Sequence, residues 1–116
     1  MSGMPNDLGT AERERRRHLV DEFLSDATRD VERMRGLVIS LETGDRAALA
    51  QVQNLAHNLA ARSLALKLGV MNACARELEQ LTYEGLNGTP HDNYFLQCVS
   101  SAVETLAIEL VALKRA

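Results

Sequence analysis

Apolar side chains recur in alternating steps of three and four residues along most of this chain. Because an α-helix turns once every 3.6 residues, this spacing places them on one helix face. The first long stripe consists of Val20, Leu24, Ala27, Val31, Met34, Val38 and Leu41. The last consists of Leu96, Val99, Val103, Leu106, Leu110 and Leu113. Such a chain folds by packing the apolar faces of helices against one another.

Two further helical segments lie between these stripes. One runs from about Arg46 to Lys67, with its stripe at Leu49, Val52, Ala56, Leu59, Ser63 and Leu66. The next runs from Val70 to about Gly85, with Gly69 as a break before it. The connections between segments are short, and short connections make neighbouring helices antiparallel. The sequence therefore predicts an all-α, antiparallel up-down four-helix bundle.

Turn residues mark the boundaries of these segments. Gly44 suits the left-handed end of the first helix, and Asp45 suits the N-cap of the second. Before the last helix, Thr89 is in position to cap it and Pro90 to begin its first turn. We therefore expect the last helix to begin at about residue 90.

The chain has 116 residues, which fits one domain, and only 3% of them are aromatic. The core must therefore be largely aliphatic. The first ten residues are polar and contain Gly3, Pro5 and Gly9. We predict a flexible N-terminal segment or short helical extension over residues 1–10, and a single bundle domain over residues 11–116.

The charge and the lack of visible targeting signals indicate which partners and which location to expect. The net charge is −3, whereas nucleic-acid binders usually carry a basic face. Arginines crowd residues 13–17, but acidic residues surround them, so we favour a solvated helix start over a phosphate-binding patch. No signal peptide and no uninterrupted apolar segment of about 18 residues is visible. We expect a cytoplasmic protein, a monomer, with no nucleic-acid or membrane partner.

One histidine of the second segment, His57, lies outside the apolar stripe. On a helical wheel it points about 140° from the centre of that stripe, so we expect its imidazole to face solvent. Small or uncharged side chains frame it: Gln53, Asn54, Asn58, Ala60, Ala61 and Leu64. Because imidazole is a nucleophile near neutral pH, an exposed histidine in such a patch suits proton or phosphoryl transfer between proteins.

Two other uses of this face stay open at this point. Exposed histidines without a function are common. The uncharged patch is also compatible with a dimer interface, or with a contact to another helix of the same chain.

Several short motifs resemble the histidine-containing phosphotransfer (HPt) domain family. The matching stretches are Leu41–Asp45, Ala47–Leu49, Ala56–Leu59, Leu68–Gly69 and Ala75–Glu79, and the resemblance spans about Val20 to Leu113. Members of that family are four-helix bundles with an exposed histidine on the second helix, in a motif of the form A-H-x-L-K-G-S. The following Leu-Gly pair and the Leu-Glu ending of the third helix also match.

The resemblance implies a phosphorelay carrier of two-component signalling rather than an enzyme. His57 would accept a phosphoryl group from a receiver-domain aspartate or a hybrid sensor histidine kinase, and pass it to another receiver. The partner would supply the aspartate and Mg²⁺, so the carrier needs no cofactor. The six framing residues named above would form the docking surface for the receiver.

The chain departs from the family pattern in three respects. Ala60 replaces the family lysine, which removes a positive charge that would offset the added phosphate. Ala61 replaces the family glycine, and the second helix is longer. A degenerate interaction module, which binds a receiver or kinase without carrying phosphate, therefore stays an alternative.

Other site chemistry has little support in the sequence. Cys74 and Cys98 show no metal-ligand spacing, and no metal motif occurs. His18 and His91 share no motif with His57. Glu77 and Glu79 fall on different faces of the third segment, and we interpret both as solvated carboxylates.

Overall fold

The computed structural model describes the backbone of residues 3–116 and the side chains of residues 9–116. Within this range it has four helices and no strand: α1 (Gly3–Glu42), α2 (Ala47–Ala65), α3 (Gly69–Leu86) and α4 (Asn93–Arg115). Each helix packs against two neighbours, in the cyclic order α1, α2, α3, α4. The predicted all-α four-helix bundle is confirmed.

The core is the meeting point of the four apolar stripes. Buried residues of α1 and α2 include Phe23, Met34, Leu49, Val52 and Leu59, and those of α3 and α4 include Met71, Leu78, Phe95, Val99 and Leu106. Two buried hydroxyls are satisfied within their own helices. Ser63 Oγ donates to the Leu59 carbonyl at 2.7 Å, and Thr82 Oγ1 donates to that of Leu78 at 2.9 Å. Both buried hydroxyl groups therefore have hydrogen-bond partners.

The turn between α1 and α2 contains the predicted glycine, but the N-cap of α2 is Arg46 and not Asp45. Gly44 has a φ of 101°, a conformation that glycine adopts without steric cost. One Asp45 carboxylate oxygen accepts the Ala47 N–H at 3.1 Å. This hydrogen bond satisfies one of the free donors at the start of α2.

The start of α4 differs from the prediction. Asp92 caps the helix, because its carboxylate accepts the Phe95 N–H at 2.8 Å, and α4 begins at Asn93. Pro90 therefore lies in the loop, and Thr89 is not the cap. The nearby packing explains the shift: the ring of His91 stacks on that of Phe95 at 5.1 Å and bonds to the Gly85 carbonyl at 2.9 Å. These contacts keep the loop against the end of α3, and α4 begins three residues later than predicted.

The helix α1 is far longer than its partners. Its 40 residues span about 60 Å, whereas the next longest helix, α4, has 23 residues. Over residues 10–19 every side chain is exposed. The backbone of residues 3–10 continues α1, so the predicted extension is helical from Gly3. Residues 1 and 2 lie outside the described part of the chain, and flexibility of residues 1–10 stays a prediction.

The helix α4 is long and apolar enough, by length and composition, to cross a membrane. Between Asn93 and Leu113 its only charged residues are Glu104 and Glu109. However, α4 also contributes five side chains to the bundle core, and a core helix can have the same length and apolar composition as a membrane span.

Candidate functional site

The helix α2 holds His57 on its outer side. The side chain of His57 is 66% exposed, while Ala56 and Leu59 on either side of it are fully buried. The predicted exposure of the imidazole is confirmed. Since its backbone neighbours are anchored in the core, the position of the ring relative to the bundle is well defined.

The imidazole pairs with a carboxylate of the neighbouring helix. His57 Nδ1 lies 2.6 Å from Glu79 Oε2 of α3, and the Glu79 side chain is only 31% exposed. This contact leaves Nε2 as the ring nitrogen without a partner among the described residues. The buried Leu78 and the Thr82 Oγ1 bond to the Glu79 carbonyl, at 2.9 Å, hold this part of α3 in place.

The sequence interpretation of Glu79 as a solvated carboxylate is therefore wrong. The missed signal was the tight connection between α2 and α3, residues 66–68. In an antiparallel hairpin, residues at roughly equal distances from the turn lie opposite each other. His57 and Glu79 meet this condition approximately, and both lie on the side of their helix that faces the other.

Five of the six residues predicted to frame His57 are accessible. Gln53 is half-buried, and Asn54, Asn58, Ala61 and Leu64 are exposed, Leu64 by 63%. Asn58 lies one residue beyond His57 and so projects about 100° further round the helix, away from α3. The exposed part of the predicted docking surface is uncharged.

Ala60 is the exception and requires a correction. It is only 6% exposed, so it does not belong to the surface. Ala60 lies between His57 and the core stripe on the side of α2 that α3 covers. The Asn72 side-chain amide of α3 donates to the Ala60 carbonyl at 2.8 Å and helps to close this side.

The α3 side adds a shallow depression beside the histidine. It measures about 560 Å³ and is lined by Gln53, Ala73, Arg76, Glu77, Glu79, Gln80 and Tyr83. Arg76 is exposed and makes no ion pair within residues 9–116. It precedes Glu79 by almost one helical turn, and both side chains line the same depression. The sequence analysis did not assign Arg76 to the site.

The other cation of this part of α2 is engaged elsewhere. Arg62 donates to Asp26 of α1 at 3.0 Å and lies 5.3 Å from the centre of the Phe23 ring. The Arg62 hydrogen bond, with a second one from Arg29, lowers the pKa of Asp26. Arg62 therefore ties α2 to α1 and does not serve the His57 surface.

Metal-binding chemistry has no visible site in the described range. Within residues 9–116, no three His, Cys, Asp or Glu side chains lie close enough to hold a metal ion. Cys74 and Cys98 are half-buried free thiols that line the groove between α3 and α4, and burial raises the pKa of Cys74. His18, near Glu22 on α1, and His91, in the last loop, are separate from His57.

Comparison with known proteins gives no match, whether with protein-family models, with characterised proteins or with solved structures. The HPt resemblance thus depends on the short motifs of the sequence. The geometry around His57 must carry any functional argument.

Proposed function

We propose that this protein is a phosphorelay carrier that accepts and donates a phosphoryl group on His57. Its partners would be the receiver domains of response regulators, a hybrid sensor histidine kinase, or both. The observation that carries the proposal is the exposed imidazole whose Nδ1 is bound to the Glu79 carboxylate. The protein would act as a carrier and not as a catalyst, without a cofactor of its own.

The Glu79 contact suits Nε2 to act as the nucleophile. In the neutral imidazole whose Nδ1–H donates a hydrogen bond to Glu79, Nε2 carries no proton and its lone pair is available. Nε2 attacks the phosphorus of an aspartyl phosphate, the P–N bond forms, and the P–O bond to the aspartate breaks. The aspartate leaves as a carboxylate, and its electron pair stays on oxygen. Glu79 offsets the positive charge that develops on the imidazole ring.

The surface around His57 suits the approach of a second protein. Ala61 is small, Leu64 is apolar, and Gln53, Asn54 and Asn58 are uncharged. Such a surface loses little solvation energy on contact, whereas charged side chains would have to be desolvated or paired. The receiver would thereby bring its phosphoaspartate and Mg²⁺ to Nε2.

Arg76 is our candidate for the charge that the family lysine supplies elsewhere. Ala60, at the position of that lysine, is packed against α3 and provides no cation. Arg76 comes from α3 instead, lines the same depression as Glu77 and Glu79, and makes no ion pair with either of them or with any other residue in the described part of the chain. Its guanidinium would offset the phosphate charge on Nε2.

The test is phosphoryl transfer from phosphorylated receiver domains. Wild type should acquire an acid-labile, base-stable label, the signature of phosphohistidine. His57→Gln should acquire none. His18→Gln is the matched control, because it removes another exposed histidine and should leave labelling unchanged. Labelling of His57→Gln would exclude His57 as the carrier.

A second candidate is a receiver-binding module that carries no phosphate. The buried Ala60 favours it, because no lysine at that position offsets the negative charge of a bound phosphate. Receivers would then bind to the His57 face without labelling. A third use, a homodimer through this face, predicts a dimer by light scattering with His57 shielded from chemical modification.

A further inference from the structure

The end of the bundle where α4 finishes is open on one side. There α1 continues past the other helices, and a groove of about 690 Å³ lies between its exposed half and the last turn of α4. Residues of α1, the end of α4 and Leu68 of the loop before α3 line the groove. No part of the His57 surface belongs to it.

The floor of this groove is apolar and incompletely covered. Val20, Leu68 and Leu113 pack against the core but stay half-buried, and only Leu24 is buried. These four side chains form the last layer of the bundle. A segment that covered them would remove more apolar surface from water.

The rim of the groove is strongly basic. Four cationic side chains, Arg13, Arg16, Arg17 and Lys114, line it with a single acidic side chain, Asp21. Within residues 9–116 none of the four cations makes an ion pair. This local excess of positive charge contrasts with the net charge of −3 for the whole chain.

The exposed half of α1 separates its charges by face. Arg15 pairs with Glu12 at 3.4 Å, and His18 lies 4.0 Å from Glu22. None of these four residues lines the groove, whereas Arg13, Arg16 and Arg17 share the face of Val20 and line it. Of the acidic neighbours of the arginine run only Asp21 lines the groove, so the groove side keeps an excess of positive charge. Our sequence interpretation of a solvated helix start holds for the outer faces only.

We propose that this groove binds an acidic amphipathic helix of a partner protein. Leucine-type side chains of the helix would cover the floor, and its carboxylates would meet Arg13, Arg16, Arg17 and Lys114. This is the helix-in-groove mode of recognition, with charge complementarity along the rim. The site is distinct from the His57 surface and does not depend on the proposed carrier function.

Two other anionic partners fit the groove less well. Single-stranded nucleic acid is held by aromatic platforms, and no aromatic side chain lines this groove. A membrane surface requires apolar side chains that project outwards. Here they lie at the bottom of a concave groove, behind the arginines.

The test uses a designed peptide of about 18 residues, with leucines on one helix face and glutamates on the other. Fluorescence anisotropy should show binding to wild type that weakens as salt is raised. Arg16→Glu should weaken binding about tenfold, because it places a negative charge on the rim. Arg15→Glu makes the same charge change on the opposite face of α1 and should alter affinity less than about twofold.

Mapping and competing ligands complete the experiment. Titration of the isotope-labelled protein should shift the amide signals of Val20, Leu68 and Leu113, and His57→Gln should bind the peptide as wild type does. The proposal is overturned if the peptide does not bind, or if a lysine-for-glutamate peptide binds equally well. It is also overturned if Arg15→Glu weakens binding as much as Arg16→Glu does. Tighter binding to phosphatidylserine vesicles or to a single-stranded oligonucleotide would assign the groove to that partner instead.

Discussion

The His57 surface and the basic groove differ in how firmly the bundle holds their side chains. His57 lies midway along α2, close to the fully buried Leu59, and its ring is bound to the carboxylate of Glu79 from α3. The groove has half-buried leucines for a floor, and its arginines stand on a part of α1 that no other helix supports. The first surface thus suits chemistry that needs one fixed atom. The second suits electrostatic attraction, which tolerates mobile side chains.

The largest difference between the two regions should be in stability. Leu59→Ala, beneath His57, should reduce the free energy of unfolding by about 2–5 kcal/mol, because it leaves a cavity in a packed core. Leu68→Ala, on the groove floor, should cost less than half as much, since Leu68 is already partly in water. Urea denaturation of the two variants measures both values. Equal losses would show that the groove floor is packed as tightly as the core, and that the two regions do not differ in packing.

The next effect concerns the His57–Glu79 pair. If the carboxylate positions the ring, Glu79→Ala should slow phosphoryl transfer by about ten- to a hundredfold, the range found where a carboxylate orients a metal-bound histidine. Glu79→Gln should restore part of the rate, because its amide oxygen still accepts the Nδ1 proton. Glu84→Ala, which removes an exposed carboxylate of α3 that does not line the depression beside His57, is the matched control.

A spectroscopic measurement separates positioning from a general loss of structure. In wild type, the ¹⁵N shifts of His57 should show the proton on Nδ1 and a free lone pair on Nε2. Glu79→Ala should mix the two tautomers while the amide spectrum of the bundle is retained. An unchanged tautomer with an unchanged rate would remove Glu79 from the mechanism.

A smaller effect is expected at Arg76. Arg76→Ala should shorten the lifetime of the phosphorylated protein several-fold, because one exposed charge contributes about 1 kcal/mol to holding a phosphate. Arg76→Lys should restore most of it. The control is Arg33→Ala, an exposed arginine of α1 that makes no ion pair within the described residues. If the alanine variants at both positions behave alike, Arg76 does not replace the family lysine.

The sequence predicted the helices far better than their contacts. The apolar periods identified all four segments and the outward direction of His57, because both depend only on the helical repeat. Glu79, Arg76 and the burial of Ala60 depend on how α3 lies against α2, which no single-helix pattern contains. The start of α4 was misplaced for a similar reason. Thr89 and Asp92 are both good caps, and the choice between them follows from the packing of His91 on Phe95.

The smallest effect tests the link between the two regions, where Arg62 of α2 is held by Asp26 of α1. Hydrogen bonds from Arg62 and Arg29 lower the folded-state pKa of Asp26, so the ionised form stabilises the fold. A lowered pKa contributes stability above the unfolded value, about 3.9, and loses it as pH falls through the folded value. Wild type should therefore exceed Asp26→Asn in stability by a constant margin at neutral pH, and the margin should shrink below about pH 4. Nearby Asp30, whose pKa is raised mainly by burial and also by the charge of Asp26, is present in both proteins, so only its interaction with Asp26 enters the difference. Urea denaturation at several pH values measures the margin. A margin that grows on acidification would mean that Arg62 is not held by Asp26.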